Sequence, residues 1–92
     1  DDIILNEFSL LPAYPNPFNP VTNISFVVDK SSEISLKIFD VNGKLVQVVN
    51  PKIYQSGFHN VQWNASSLSS GMYFIHMLNG ADRHTQKVML LK

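Results

Sequence analysis

The sequence contains no cysteine, and that absence excludes several kinds of chemistry at once. Disulfide bonds, zinc sites with thiolate ligands and catalysis by a thiol nucleophile all require cysteine. The absence does not identify the compartment, because an exported protein can fold without disulfide bonds.

An excess of charge of either sign is also missing. Seven basic residues balance seven acidic ones, so the formal net charge is zero and the pI is close to 7.0. Nucleic-acid binding needs a basic surface that replaces counterions, and an anionic membrane surface attracts polybasic segments. We therefore expect neither as a partner.

Long apolar runs are absent as well. No stretch approaches the ~18 apolar residues of a transmembrane helix, and the start at Asp1 and Asp2 has no basic segment followed by an apolar one. We expect no membrane insertion and no signal peptide in this sequence. A signal for export, if the chain is exported, is expected in an upstream part of a parent protein.

A period-two alternation of apolar and polar residues dominates the rest of the chain. Residues 22–28 and 33–39 show it clearly, and no segment has the 3.6-residue period of a helix. Short alternating runs separated by turn signals predict an all-β fold, an immunoglobulin-like antiparallel β-sandwich of about seven strands. We assign it to residues 8–92, with 1–7 as a linker from an upstream domain. A closed barrel is the alternative, but it does not explain the proline-rich segment near the start.

Three local patterns predict where strands lie and end. Asn42-Gly43 between two strand-like runs predicts a type I′ hairpin turn, in which both central residues have positive φ. Pro51 predicts the end of the following strand, because proline cannot donate to a sheet ladder. Residues 72–78 are apolar on both faces, which predicts a central strand.

The segment Tyr14–Pro20 holds three prolines in seven residues and cannot be a helix or a central strand. We expect a stiff crossing segment anchored by the rings of Tyr14 and Phe18. Proline-rich segments also dock into aromatic grooves, so a recognition role is the alternative, although the asparagines between the prolines favour a rigid corner. The residues of this structural motif are Pro15, Asn16, Pro17, Phe18, Asn19 and Pro20.

Two further features indicate scaffold rather than chemistry. Trp63 lies on the same face of its run as Val61 and is expected in the core. The pattern of Leu68, Gly71 and Tyr73 resembles a tyrosine corner, in which the tyrosine hydroxyl bonds back to the preceding loop.

Nothing in the sequence marks an active site. It has no G-x-S-x-G, no plausible Ser-His-Asp grouping and no glycine-rich phosphate loop, so we expect no enzyme activity and no cofactor. His59, His76 and His84 have no spacing that converges on one ion, so no metal site is expected. We place His59 at the rim of the core and the other two histidines in solvent.

The chain also carries five distinctive blocks, at 14–26, 38–46, 57–64, 68–74 and 87–92. Among them are YPNPFNP, IFDVNGKLV with Asn42-Gly43, LSSGMYF and KVMLLK. In this order and spacing, over roughly residues 8–92, they resemble the type A C-terminal sorting domains of the type IX secretion system. Departures are mild: Asn64 stands where the family more often has Asp, and Met72 where it more often has Val or Ile.

The resemblance implies a C-terminal sorting signal that directs a larger cargo protein across the outer membrane. It implies as partners the outer-membrane secretion machinery, its processing peptidase and the upstream cargo domain. The parent protein would be periplasmic in transit and then at the cell surface or secreted. The immunoglobulin-like domain of flagellar hook-capping proteins shares much of the pattern and stays an alternative.

A second alternative is a carbohydrate- or protein-binding accessory module of a secreted enzyme or adhesin. Such a module needs an exposed aromatic platform. The candidates here are Tyr54 and Phe58.

The last strand is the candidate site for recognition by the secretion machinery. Four consecutive apolar residues give it two apolar faces, and a lysine flanks each end. Such a strand is either buried between neighbours or read by an export receptor, through strand addition or apolar contact. The run consists of Lys87, Val88, Met89, Leu90, Leu91 and Lys92.

Overall fold

The described residues form seven β-strands, and the alternating runs 22–28 and 33–39 each lie within one of them. The structure is a computed structural model, and it describes residues 8–80 and 82–92. The predicted linker 1–7 therefore lies outside the described residues. Within those residues, no helix has the length and apolar character needed to cross a membrane. The strands are β1 (Ser9–Leu10), β2 (Val21–Val28), β3 (Ser32–Asp40), β4 (Leu45–Tyr54), β5 (Gly57–Asn64), β6 (Gly71–Asn79) and β7 (Asp82–Leu90).

The strands form two sheets that pack on one core. One sheet has the order β1-β2-β5 and the other the order β4-β3-β6-β7, and the neighbouring strands of both are antiparallel. The predicted immunoglobulin-like antiparallel β-sandwich is confirmed. Strand β6 lies between β3 and β7, as its two apolar faces predict.

The core lies between the sheets because successive side chains of a strand point to opposite faces. In β3, for example, Ile34, Leu36 and Ile38 are buried while the residues between them are not. At one end of the core the ring of Trp63 lies 5.2 Å from Phe18 and 5.8 Å from Tyr73. Such tilted and edge-on aromatic pairs stabilise beyond their buried area.

The turn between β3 and β4 differs from the predicted type I′. Gly43 has a φ of 80°, but none of the described non-glycine residues, Asn42 included, has a positive φ. The Asp40 carbonyl accepts from the Gly43 amide at 3.0 Å, and its carboxylate accepts from the amides of Asn42 (2.9 Å) and Lys44 (3.0 Å). The aspartate thus stabilises a three-residue turn in which only glycine needs the left-handed region.

The prediction that Pro51 ends its strand is wrong. The strand continues to Tyr54, and its pairing with β3 shifts between Ile34 and Leu36, where β4 bulges. Because β4 is an edge strand, a proline at a bulge removes no ladder hydrogen bond.

Tyr73 makes the bond that defines a tyrosine corner. Its hydroxyl donates to the Ser69 carbonyl at 2.6 Å, and its ring is buried against Trp63. The bond fastens the 65–70 loop to the start of β6.

We expect Tyr73→Phe to lower the free energy of unfolding by about 0.5–1.5 kcal/mol, because the ring stays packed while the Ser69 carbonyl loses its donor. Urea denaturation measures the change. Tyr14→Phe is the matched control. The Tyr14 side chain is 79% exposed, so removing its hydroxyl should leave the free energy of unfolding nearly unchanged. Equal stability of the two variants would contradict the role given to the hydroxyl.

Candidate recognition surface on the last strand

The candidate segment splits into an inward and an outward half because it belongs to β7. Val88 and Leu90 are 1% and 0% exposed and hold the strand in the core. Lys87 and Met89 point the other way, paired across β6 with outward-facing residues of that strand. Beyond the strand, Leu91 is 52% exposed. Lys92 is also exposed, and its Nζ donates to the Ser66 carbonyl at 2.6 Å.

Strand β7 lies at the edge of its sheet, yet that edge is covered. Residues 11–20, which we name the proline strap, cross from β2 to β7. The Phe18 amide donates to the Met89 carbonyl at 2.9 Å, and the Leu91 amide donates to the Phe18 carbonyl at 2.9 Å. Phe18 thereby makes a short parallel bridge with Leu90.

Two amide side chains complete the attachment of the strap to β7. The Asn16 Oδ1 accepts from the Met89 amide at 3.0 Å, and its Nδ2 donates to the Lys87 carbonyl at 3.4 Å. The Gln86 Nε2 donates to the Leu11 carbonyl at 2.6 Å. The prolines of the strap have no N–H, so the strap itself offers few donors to a further chain.

The strap is anchored differently from the prediction. Phe18 is buried at 2% exposure, as expected, but the Tyr14 ring is 79% exposed, so the predicted ring anchor at Tyr14 is wrong. Tyr14 is held by its backbone, whose amide and carbonyl pair with Asn23 at 3.2 and 3.0 Å. The fully buried Thr22 adds a bond from its hydroxyl to the Pro15 carbonyl at 2.7 Å.

We expect Asn16→Ala to loosen the strap on β7, because the Met89 amide loses its acceptor and the Lys87 carbonyl loses a donor. Amide hydrogen exchange at Met89 should accelerate, with a loss of about 0.5–1.5 kcal/mol in unfolding free energy. Asn19→Ala, a neighbouring exposed asparagine of the same motif, is the control. If the two variants exchange alike at Met89, the Asn16 side chain does not hold the strap.

The three histidines lie on different strands, and each packs against an aromatic ring. His84 is 4.9 Å from Phe8 and His76 is 4.7 Å from Phe39, so both are half-buried and the predicted exposure of these two is wrong. His59 lies at the rim of the core, as expected, 5.6 Å from Phe26. Among the described residues, no three metal-ligating side chains come together.

The pKa of His76 lies below its ordinary 6.5, first because burial removes water from the ring and second because Arg83 repels the imidazolium. Lys37, directly across on β3, carries a further positive charge. Protonation is therefore weaker in the folded state than in the unfolded one, so this residue's contribution to stability falls as pH drops through 6.5.

We expect an NMR titration of the His76 ring to give a midpoint below 6.5. Arg83→Ala should raise the midpoint only partly, because desolvation, the larger cause, remains. A midpoint at or above 6.5 in the unchanged chain would contradict the burial of this ring.

Tyr54 and Phe58, the candidate platform of a binding module, do not present two rings to solvent. Tyr54 is half-buried, with its ring 5.1 Å from Phe26, and only Phe58 is exposed, at 54%. The part of the chain that the structure describes encloses no pocket. A partner would therefore contact exposed side chains on the sheet faces rather than enter a cleft.

Comparisons with known proteins agree with this architecture. A family model described as "Secretion system C-terminal sorting domain" matches residues 12–91. The crystal structure of dimeric latent PorU from Porphyromonas gingivalis contains a similar fold, with a TM-score of 0.74 at 13% identity. The similarity covers 91% of this chain but only 9% of that one. Comparison with curated proteins gave no match.

The family match spans residues 12–20 of the proline strap, the tyrosine corner and all of β7, and it ends at Leu91. The chain therefore belongs to the secretion-system C-terminal sorting domains, the family of C-terminal sorting signals for type IX secretion.

Proposed function

We propose that the outer-membrane secretion machinery reads this sorting domain in its folded state, through outward side chains of Lys87–Lys92. The observation that carries the proposal is the split of this segment: Val88 and Leu90 are buried, while Lys87, Leu91 and Lys92 are exposed. The buried pair positions the exposed residues at a defined place on the sandwich. The docking that we propose is non-covalent.

Side-chain contact is favoured over strand addition. A partner strand that paired with the edge of β7 would displace Phe18 from Met89 and Leu91, and Asn16 from Met89. Each lost hydrogen bond needs an equal replacement, and the Phe18 ring, 2% exposed, would leave the core. A partner that contacts the outward side chains has no such cost.

Family membership supports the remaining steps of the proposal. The domain directs an upstream cargo across the outer membrane, from the periplasm to the cell surface or the medium. A processing peptidase of the machinery then separates the cargo by cleavage upstream of the sandwich, within residues 1–7 or before them. In this proposal the domain acts as a sorting signal and catalyses no reaction.

The test is a fusion of the whole 92-residue chain to the C-terminus of a periplasmic reporter, in a host with a type IX secretion system. We expect the unchanged fusion to be exported. Lys87→Ser combined with Leu91→Ser should lower the exported fraction about tenfold, as loss of a few central contacts does in protein interfaces.

Phe58→Ser is the matched control, because the 54% exposure of Phe58 is close to the 52% of Leu91, while Phe58 lies on β5 in the other sheet. Deleting residues 87–92 is a poorer test, since it also removes Val88 and Leu90 from the core. Retention of the unchanged fusion in the periplasm refutes the sorting role. Normal export of the double variant refutes the role of the segment.

A further inference from the structure

The outer face of the four-stranded sheet carries a large apolar patch, although no layer of the described structure covers it. An antiparallel sheet with one solvated face normally alternates apolar-in and polar-out. Here cross-strand register places large apolar side chains side by side on the outward face of all four strands. They are Phe39, Leu45, Val48, Met72, Phe74 and Met89, which we name the outer apolar face.

The other sheet of the same domain shows what a solvated face looks like here. Register across β2 and β5 aligns mainly amide and hydroxyl side chains on its outward side. They are Asn23, Ser25, Asn60, Gln62 and Asn64. The chain therefore follows the rule on one sheet and departs from it on the other, so the outer apolar face is not a general property of a small sandwich.

Cations are interleaved with the outer apolar face. Lys37 pairs with Val48 and His76, Arg83 pairs with Leu78, and Lys87 pairs with Phe74. Among the described outward residues of these four strands the one carboxylate is Glu33, at the end of β3 remote from Phe39.

We propose that the outer apolar face docks a protein of the secretion machinery whose contact surface is apolar in the centre and rich in Asp or Glu around it. Aromatic residues and methionine are enriched in interface cores, and methionine adapts to irregular partners. Opposite charges steer such a partner and set its orientation. This inference rests on the proposed function, and Lys87 and Met89 belong to both surfaces.

A second copy of this chain fits the face less well. A two-fold dimer through this face would bring the same side chains of both copies together. Lys37, Arg83 and Lys87 would then meet their own counterparts, and like charges across an interface are destabilising. The charge pattern therefore selects an acidic partner over self-association.

The test uses the same reporter fusion with changes outside residues 87–92. Lys37→Glu combined with Val48→Ser alters a directly paired charge and apolar side chain, and both are exposed. We expect the exported fraction to fall about tenfold. Leu45→Ser, at 43% exposure, is a second apolar variant in case the first pair impairs folding, and it should lower export in the same direction.

Two controls make the same chemical changes elsewhere. Lys30→Glu reverses an exposed charge in the turn between β2 and β3, and Phe58→Ser removes an exposed apolar ring on the other sheet. Circular dichroism and urea denaturation establish that each variant is folded before export is compared. Both controls should export like the unchanged chain.

The outcomes separate this inference from the proposed function. If Lys87→Ser with Leu91→Ser blocks export while the Lys37 and Val48 changes do not, the outer apolar face is not the docking surface, but the sorting segment stands. If the unchanged fusion is not exported, the proposed function itself fails. Sedimentation of the purified chain adds a third arm: a dimer that Val48→Ser dissociates would overturn the acidic partner in favour of a second copy.

Discussion

The position of Phe18, in the core and against β7, determines which surfaces of this domain are open to a partner. Its ring fills the end of the core against Trp63, while its backbone accepts from Leu91 and donates to Met89. A buried ring and two backbone bonds act on the same residue, so the strap cannot leave the β7 edge without opening the core. An edge that would otherwise recruit other strands is closed by the chain itself.

Because that edge is closed, the recognition that we propose relies on side chains rather than on the backbone. Lys87 and Met89 of β7 continue into a face that is apolar and cationic, whereas the opposite sheet presents mainly amides and hydroxyls. The docking face that we propose therefore lies on the four-stranded sheet, while the other sheet presents mainly polar side chains to solvent.

Local patterns predicted the strands but not the contacts between distant segments. The alternation of Ile34, Leu36 and Ile38 reports burial directly, because neighbouring side chains face opposite sides of a strand. The bond between Asn16 and Met89 joins residues 73 apart, and no local signal encodes it. The type I′ prediction failed for a physical reason too, since the Asp40 carboxylate competes for the turn amides. At the candidate site, sequence identified the segment, while which side chains face outward needed the register with β6.

The most direct measurement of the central claim is hydrogen exchange at the Phe18 amide in the domain bound to purified secretion machinery. That amide donates to Met89 only while the strap lies on β7. If the folded domain is read through side chains, exchange at Phe18 stays as slow in the complex as in the free domain. Fast exchange on binding would mean that the strap is displaced and the edge of β7 is read by strand addition, which would contradict the claim.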